Sequence, residues 1–165
     1  VPNREKGLTL LETLASLTIS LMLLGILFTL VLSLLKQQNG TTNYNAAKQT
    51  VLLISDTLSA KVKEATVVNA DWTAASFNFQ LDTGNVFTMT QNAADPSLWD
   101  VVVQDTSGNR VALGSVGFCW ENRPQVSPAN SLNHLVFTFW QTYVDDTGKT
   151  QRYILTAGYH TSVVH

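Results

Sequence analysis

Apolar and polar residues sort along this chain into three regimes, each with its own period. From Leu8 to Leu35 the run LTLLETLASLTISLMLLGILFTLVLSLL is apolar almost throughout, and Thr13 to Leu35 gives 23 consecutive residues without a formal charge. At 1.5 Å per residue a helix of that length covers roughly 35 Å, enough to cross a bilayer. A polar interval, QQNGTTNYN, follows Lys36, and within it Asn39-Gly40 reads as a helix breaker or hinge. Helical spacing then resumes. Ala47, Val51, Ile54, Leu58, Val62 and Ala65 recur at intervals of three and four on one stripe, while Lys48, Asp56, Lys61 and Lys63 fall mainly away from it. The pattern leaves open whether one helix runs from about Leu8 to Ala65 or bends near Gly40.

Beyond Thr66 the period changes from helical to alternating. Phe77, Phe79 and Leu81 alternate with polar residues, Asp82 to Asn85 reads as a turn, and Val86 to Thr90 reads as the returning strand. Leu98 to Gln104 is a further apolar run that DTSGN turns, with short strands expected over Arg110 to Leu113 and Val116 to Trp120. Glu121 to Ser131, with Pro124 and Pro128, reads as a surface loop. The strongest hairpin comes last: Leu132 to Val144, a turn at Asp145 to Lys149, then Thr150 to Tyr159. Leu135, Phe137 and Phe139 give it an apolar face; Val136, Thr138 and Trp140, with Tyr153 assigned beside them, give a mixed face expected to be a second packing surface or a meeting place for neighbouring subunits. The expected fold class is therefore α+β: a long N-terminal helix, membrane-spanning in its first half and amphipathic in its second, packed on an antiparallel β-sheet head.

One charge interrupts the apolar segment, and it sits near the start. Glu12 lies four residues after Leu8, on the same face of a helix. An unpaired acid in hydrocarbon costs on the order of 2.5 kcal/mol or more, so it asks for a cation. A cut after Gly7 would create one, because the α-amino group of Leu8 would be largely protonated at neutral pH, with a pKa of about 8. A plainer reading is also available, since Thr9-x-x-Glu12 fits a capping box and a first-turn glutamate suits the helix dipole. An ordinary secretory signal is disfavoured: Leu34, Leu35 and Lys36 offer no small-residue cut site.

Gly7, Leu8, Thr9, Leu10, Leu11 and Glu12 together resemble the class III signal of type IV prepilins and type II secretion pseudopilins, a glycine followed by an apolar residue and a glutamate five positions on. The resemblance implies cleavage after Gly7 and N-methylation of Leu8 by a membrane prepilin peptidase, with Glu12 serving assembly. Leu8 departs from the more usual phenylalanine or methionine. The implied division is a cleaved leader at 1–7, a transmembrane and assembly helix at 8–35, its amphipathic continuation at 36–66, and a β-rich head at 67–165. The leader VPNREKG carries Arg4 and Lys6 against Glu5, and the positive-inside rule places it in the cytoplasm with the head outside. The sequence opens on Val1, which suggests a non-AUG start codon or trimming.

Composition narrows the picture further. About 130 residues remain for one small soluble unit, and a net charge of −2 leaves no basic footprint for nucleic acid. The single cysteine, Cys119, cannot form an internal disulfide, unlike the pattern of many pilins, and is expected to be a small buried hydrophobe. Gly25 is the only glycine of the membrane segment, and Thr18, Ser20, Thr29 and Ser33 either pack helix on helix or satisfy their hydroxyls on their own backbone. His134, His160 and His165 lack metal-like spacing, and Asp145-Asp146-x-Gly148 lacks the further ligands of a calcium loop. No nucleophile elbow, phosphate loop or paired-cysteine motif appears, so no catalytic residue, cofactor or metal is expected.

The reading is a non-enzymatic structural subunit, expected to be a minor one, that waits in the cytoplasmic membrane and enters a filament. Its expected partners are other pilin or pseudopilin subunits, the prepilin peptidase and the assembly platform; secretion, pilus and competence machines all fit. By pattern, the terminal hairpin resembles the last sheet of J-type minor pseudopilins and W-type minor pilins. The rival is a signal-anchored extracytoplasmic binding module that never polymerises, with a membrane-tethered enzyme as a third reading.

Overall fold

The computed structural model describes residues 3–63, 65–125, 132 and 134–160, with side chains from Thr9 onward. It is α+β: a single long helix, α1 (Asn3–Val62), followed by seven strands, β1 (Val67–Trp72), β2 (Ser76–Leu81), β3 (Val86–Gln91), β4 (Trp99–Gln104), β5 (Arg110–Trp120), β6 (His134–Val144) and β7 (Thr150–His160). Each strand pairs antiparallel with the next, in the order β1-β2-β3-β4-β5-β6-β7. Short turns suffice for such a meander, and the sequence supplies them at residues 82–85, 105–109 and 145–149.

The second half of α1 lies on β5, β6 and β7. Its predicted stripe is the buried face: Val51, Ile54, Leu58 and Val62 are fully buried and Ala47 nearly so, while Ala65, also fully buried, falls just past the end of the helix. The sheet curls so that β1 to β4 fold over the same core, and an isolated bridge from Val67 to Leu132 draws β1 towards the start of β6. Phe79 of β2 thus reaches Phe137 of β6 at a centroid separation of 6.1 Å. Phe77, Phe79, Phe87, Phe137 and Phe139 fill the interior. Burying each ring contributes a few kcal/mol, which lets the head form without a disulfide.

Several expectations change. The helix does not break at Asn39-Gly40, because Gly40 is a contact rather than a hinge. It is buried, and a Cβ there would stand 2.6 Å from the backbone nitrogen of Asp146 in the β6–β7 turn. The strands expected over Arg110 to Leu113 and Val116 to Trp120 are one strand, with a register shift opposite Val101 and Val102. Gly114 carries that irregularity at φ 136°, with the Thr50 methyl of α1 3.1 Å from where a Cβ would sit. A side chain there would both strain the backbone and press on the helix. Strand β1 had no clear alternation to announce it.

Two side-chain assignments also reverse. Cys119 is exposed. It pairs with Thr138, while its neighbours Phe118 and Trp120 pair with Phe139 and Phe137, so alternation turns the thiol to the outer face. Tyr153 leaves the mixed face: it pairs with Gln141, on the side of Phe139 and Leu155, and meets Tyr44 of α1 at 5.9 Å. Trp140 does belong to the outer face and packs down on Gly117. Pro128 and His165 lie outside the described residues.

Candidate processing and assembly site

The first half of α1 stands clear of the head. Seventeen large apolar side chains between Leu10 and Leu35 are 42–72% exposed. At about 1.5–3 kcal/mol for each fully transferred side chain, leaving them in water costs on the order of 25 kcal/mol, more than the roughly 5–15 kcal/mol by which a domain is stable. This surface therefore has to be covered, by lipid or by other helices. The helix is long and apolar enough to cross a membrane.

Four hydroxyl groups along it bond within the helix. Thr13 donates to the carbonyl of Leu10 at 2.9 Å, Thr18 to Ala15 at 2.8 Å, Ser20 to Ser16 at 2.8 Å and Thr29 to Gly25 at 2.8 Å. These four are satisfied on their own backbone, one of the two alternatives, so they add little cost in hydrocarbon.

Glu12 is different, being exposed and the only formal charge between Leu8 and Leu35. With Thr9, Thr13, Ser16 and Ser20 it lines a shallow groove down one side of the helix. The spacing explains the stripe, since positions three and four apart share a face. Leu8 precedes Glu12 by four and belongs to that same side of the backbone helix; its side chain, like that of every residue before Thr9, lies outside the described set. Gly7 and Leu8 both fall inside α1, which begins at Asn3. In this chain Thr9 is accordingly not an N-cap, and the capping-box reading of Thr9 and Glu12 does not hold with residues 3–8 in place.

Just past the apolar segment the head is fastened to the helix. Asn43 Nδ2 donates to the carbonyl of Val144 at 3.2 Å, and Tyr44 packs edge-on against both Tyr143, at 5.4 Å, and Tyr153. The β6–β7 turn behind this contact is held by Asp145, whose carboxylate accepts from the Thr147 hydroxyl at 2.7 Å and from the amides of Thr147 and Lys149 at 2.9 Å. These bonds, the Thr147 hydroxyl first, lower its pKa from 3.8 to about 2. Asp145 thus holds the hairpin turn, in keeping with the turn expected over Asp145 to Lys149.

Elsewhere the structure brings together residues that spacing had kept apart. His134 and His160 stack across β6 and β7 with centroids 4.4 Å apart. Among the described residues no three His, Cys, Asp or Glu side chains form a group that could hold a metal. Burial, then the charge of Glu121, push the Cys119 thiol pKa up, away from the thiolate form. Three tryptophans, Trp72, Trp99 and Trp120, converge at one end of the curled sheet. No sequence spacing links them, because the convergence depends on how β1, β4 and β5 curl.

With the geometry in place, the comparison with known families is specific. Residues 2–31 match the model of the prokaryotic N-terminal methylation motif, and the chain carries that motif. It is the class III signal of type IV pilins and pseudopilins, and it supports a pilin- or pseudopilin-like protein processed by prepilin peptidase. It points to a structural protein, to other pilin subunits as partners and, with the single apolar helix, to membrane anchoring. No curated protein matches the chain, and no solved structure does.

Proposed function

We propose that this protein is a minor structural subunit of a type IV pilus or of a type II secretion or competence pseudopilus. Prepilin peptidase cuts after Gly7 and methylates the new terminus at Leu8. Glycine is the poorest helix former after proline, by about 1 kcal/mol, so Gly7 locally weakens the helix at the bond to be cut. Before assembly the subunit rests in the cytoplasmic membrane, leader inside and head outside. The assembly platform then draws it into a filament in which the bare half of α1 packs against the helices of neighbours. Glu12 pairs there with the α-amino group of an adjacent Leu8, which fixes the axial register.

The observation that carries this reading is the bare apolar helix with one exposed carboxylate on its polar stripe, inside the methylation motif. The aromatic head without a disulfide favours a minor over a major subunit.

Processing and assembly separate in one experiment. In cells with a prepilin peptidase and filament machinery, Glu12→Ala should be trimmed like the parent yet recovered from sheared filaments at a small fraction of the parent's level. Equal incorporation of the variant would remove Glu12 from the assembly mechanism. Failure of the parent to enter filaments at all would leave an anchored binding module as the better description.

A further inference from the structure

On the head, β1, β2, β4 and β5 border a cleft of about 420 Å³. That lies within the range of small-molecule sites, roughly 300–1,000 Å³. Its floor is made of touching rings, buried Phe77 tilted against buried Trp120 at 4.5 Å and stacked with half-buried Phe118 at 5.7 Å. Half-buried Trp72 stands perpendicular to Trp120 at one side, and half-buried Trp99 meets Phe118 at the other. Exposed Glu121 and Arg123 complete the rim.

The floor is fixed from behind. Asn122 Oδ1 accepts from the Trp120 indole N–H at 3.0 Å and from the amide of Val136 at 2.8 Å, while its Nδ2 donates to the carbonyl of His134 at 2.9 Å. With its N–H engaged there, Trp120 keeps a set orientation.

The chemistry of the lining selects among ligands. The rim carries one carboxylate and one guanidinium, so it has no net charge to favour either a cation or an anion. What remains is an apolar cleft in which Trp72 and Trp99 present half-exposed indoles beside a donor fork and an acceptor pair. The C–H face of a pyranose ring suits the negative face of an aromatic quadrupole, and its hydroxyls suit Glu121 and Arg123. We propose that this cleft is a binding site for a short neutral saccharide.

The cleft is also placed for access. Trp120 pairs with Phe137, which packs on Tyr159, whose hydroxyl bonds Ser55 of α1 at 2.9 Å. Ser55 lies roughly 30 Å along the helix beyond Lys36. The outward placement rests on the membrane-anchored filament reading above; binding itself does not, so a failure of processing would leave the test below unaffected.

The test uses the full chain in micelles of a polyoxyethylene detergent, which carries no sugar. Cellobiose, maltose and N,N′-diacetylchitobiose are each titrated while the indole N–H resonances are followed. The chain has four tryptophans, and Trp140 on the outer face serves as an internal control. At least one disaccharide should shift the Trp72 and Trp99 signals saturably and leave Trp140 unmoved. Trp99→Ala should weaken binding by about tenfold, the equivalent of one stacked ring. The exposed pair Glu121→Ala with Arg123→Ala, which leaves the core intact, should weaken it several-fold. The proposal is overturned by no saturable shift up to about 50 mM of any of the three, by shifts that include Trp140 equally, by binding that both sets of variants leave unchanged, or by tetramethylammonium saturating the same signals.

Discussion

Replacing Gly40 by alanine sets two physical effects against each other, and the structure says which wins. In a helix interior glycine is less favourable than alanine by roughly 0.5–1 kcal/mol, and the substitution also restricts the unfolded chain. A glycine that served only as a hinge would therefore yield a more stable protein. Here, however, the added Cβ would meet the Asp146 nitrogen at 2.6 Å, its Cα at 3.0 Å and the Asp145 carbonyl carbon at 3.1 Å. All three are backbone atoms, so relief requires moving the β6–β7 turn, and overpacking of this kind costs about 1–3 kcal/mol. The net expectation is a loss on the order of 1 kcal/mol, a fall in Tm of about 3 °C. The turn would shift with it, weakening the Asn43–Val144 hydrogen bond and the packing of Tyr44 on Tyr143. The assay is thermal unfolding of the full chain in detergent, followed through tyrosine and tryptophan near-ultraviolet signals. Gly25→Ala is the control, since a Cβ there meets nothing within 4 Å. A rise in Tm for Gly40→Ala would refute the close-contact argument.

Other consequences are more local. Phe137→Ala should destabilise the head by about 3–5 kcal/mol in denaturant melts, because its ring touches Phe77, Phe79, Phe118, Trp120 and Tyr159; a loss below about 1 kcal/mol would mean that the two sheet halves do not share one core. Asp145 has a depressed pKa, so the support its carboxylate gives the turn is present above its ordinary value of 3.8 and is lost as pH falls through about 2. Its carboxyl carbon should accordingly titrate near 2 by NMR, and a midpoint near 4 would show that the Thr147 and Lys149 bonds are not formed. Cys119, exposed but held towards the thiol form, should react with a maleimide without unfolding and more slowly at neutral pH than a free cysteine; labelling seen only in denaturant would return the thiol to the interior.

Local patterns were legible where burial follows a simple period. The stripe from Ala47 to Val62 is buried because a 3.6-residue repeat presents it to one sheet, and Phe77, Phe79, Leu135 and Phe137 are buried because alternate residues of a half-covered sheet point inward. Long-range features were not legible in the same way. Gly40 looked like a breaker because local propensity cannot register a turn arriving from 105 residues downstream. Cys119 looked buried for its company, yet strand parity puts it on the side opposite Phe118 and Trp120. Tyr153 and the Trp72–Trp99–Trp120 cleft depend on register and curl, which emerge only once seven strands are paired. At the amino terminus the reverse held: Gly7, Leu8 and Glu12 are readable as a motif, whereas the single chain leaves Glu12 exposed on a bare helix.

Everything proposed for the filament depends on a cut at the Gly7–Leu8 bond that gives Glu12 a partner. Intact mass and amino-terminal sequencing of the membrane-extracted protein, co-expressed with an active prepilin peptidase and with an inactive one, test it most directly. The expected product is a chain beginning at Leu8 and carrying one added methyl group only with the active enzyme. A chain that still begins at Val1 alongside a control prepilin that has been trimmed would contradict it.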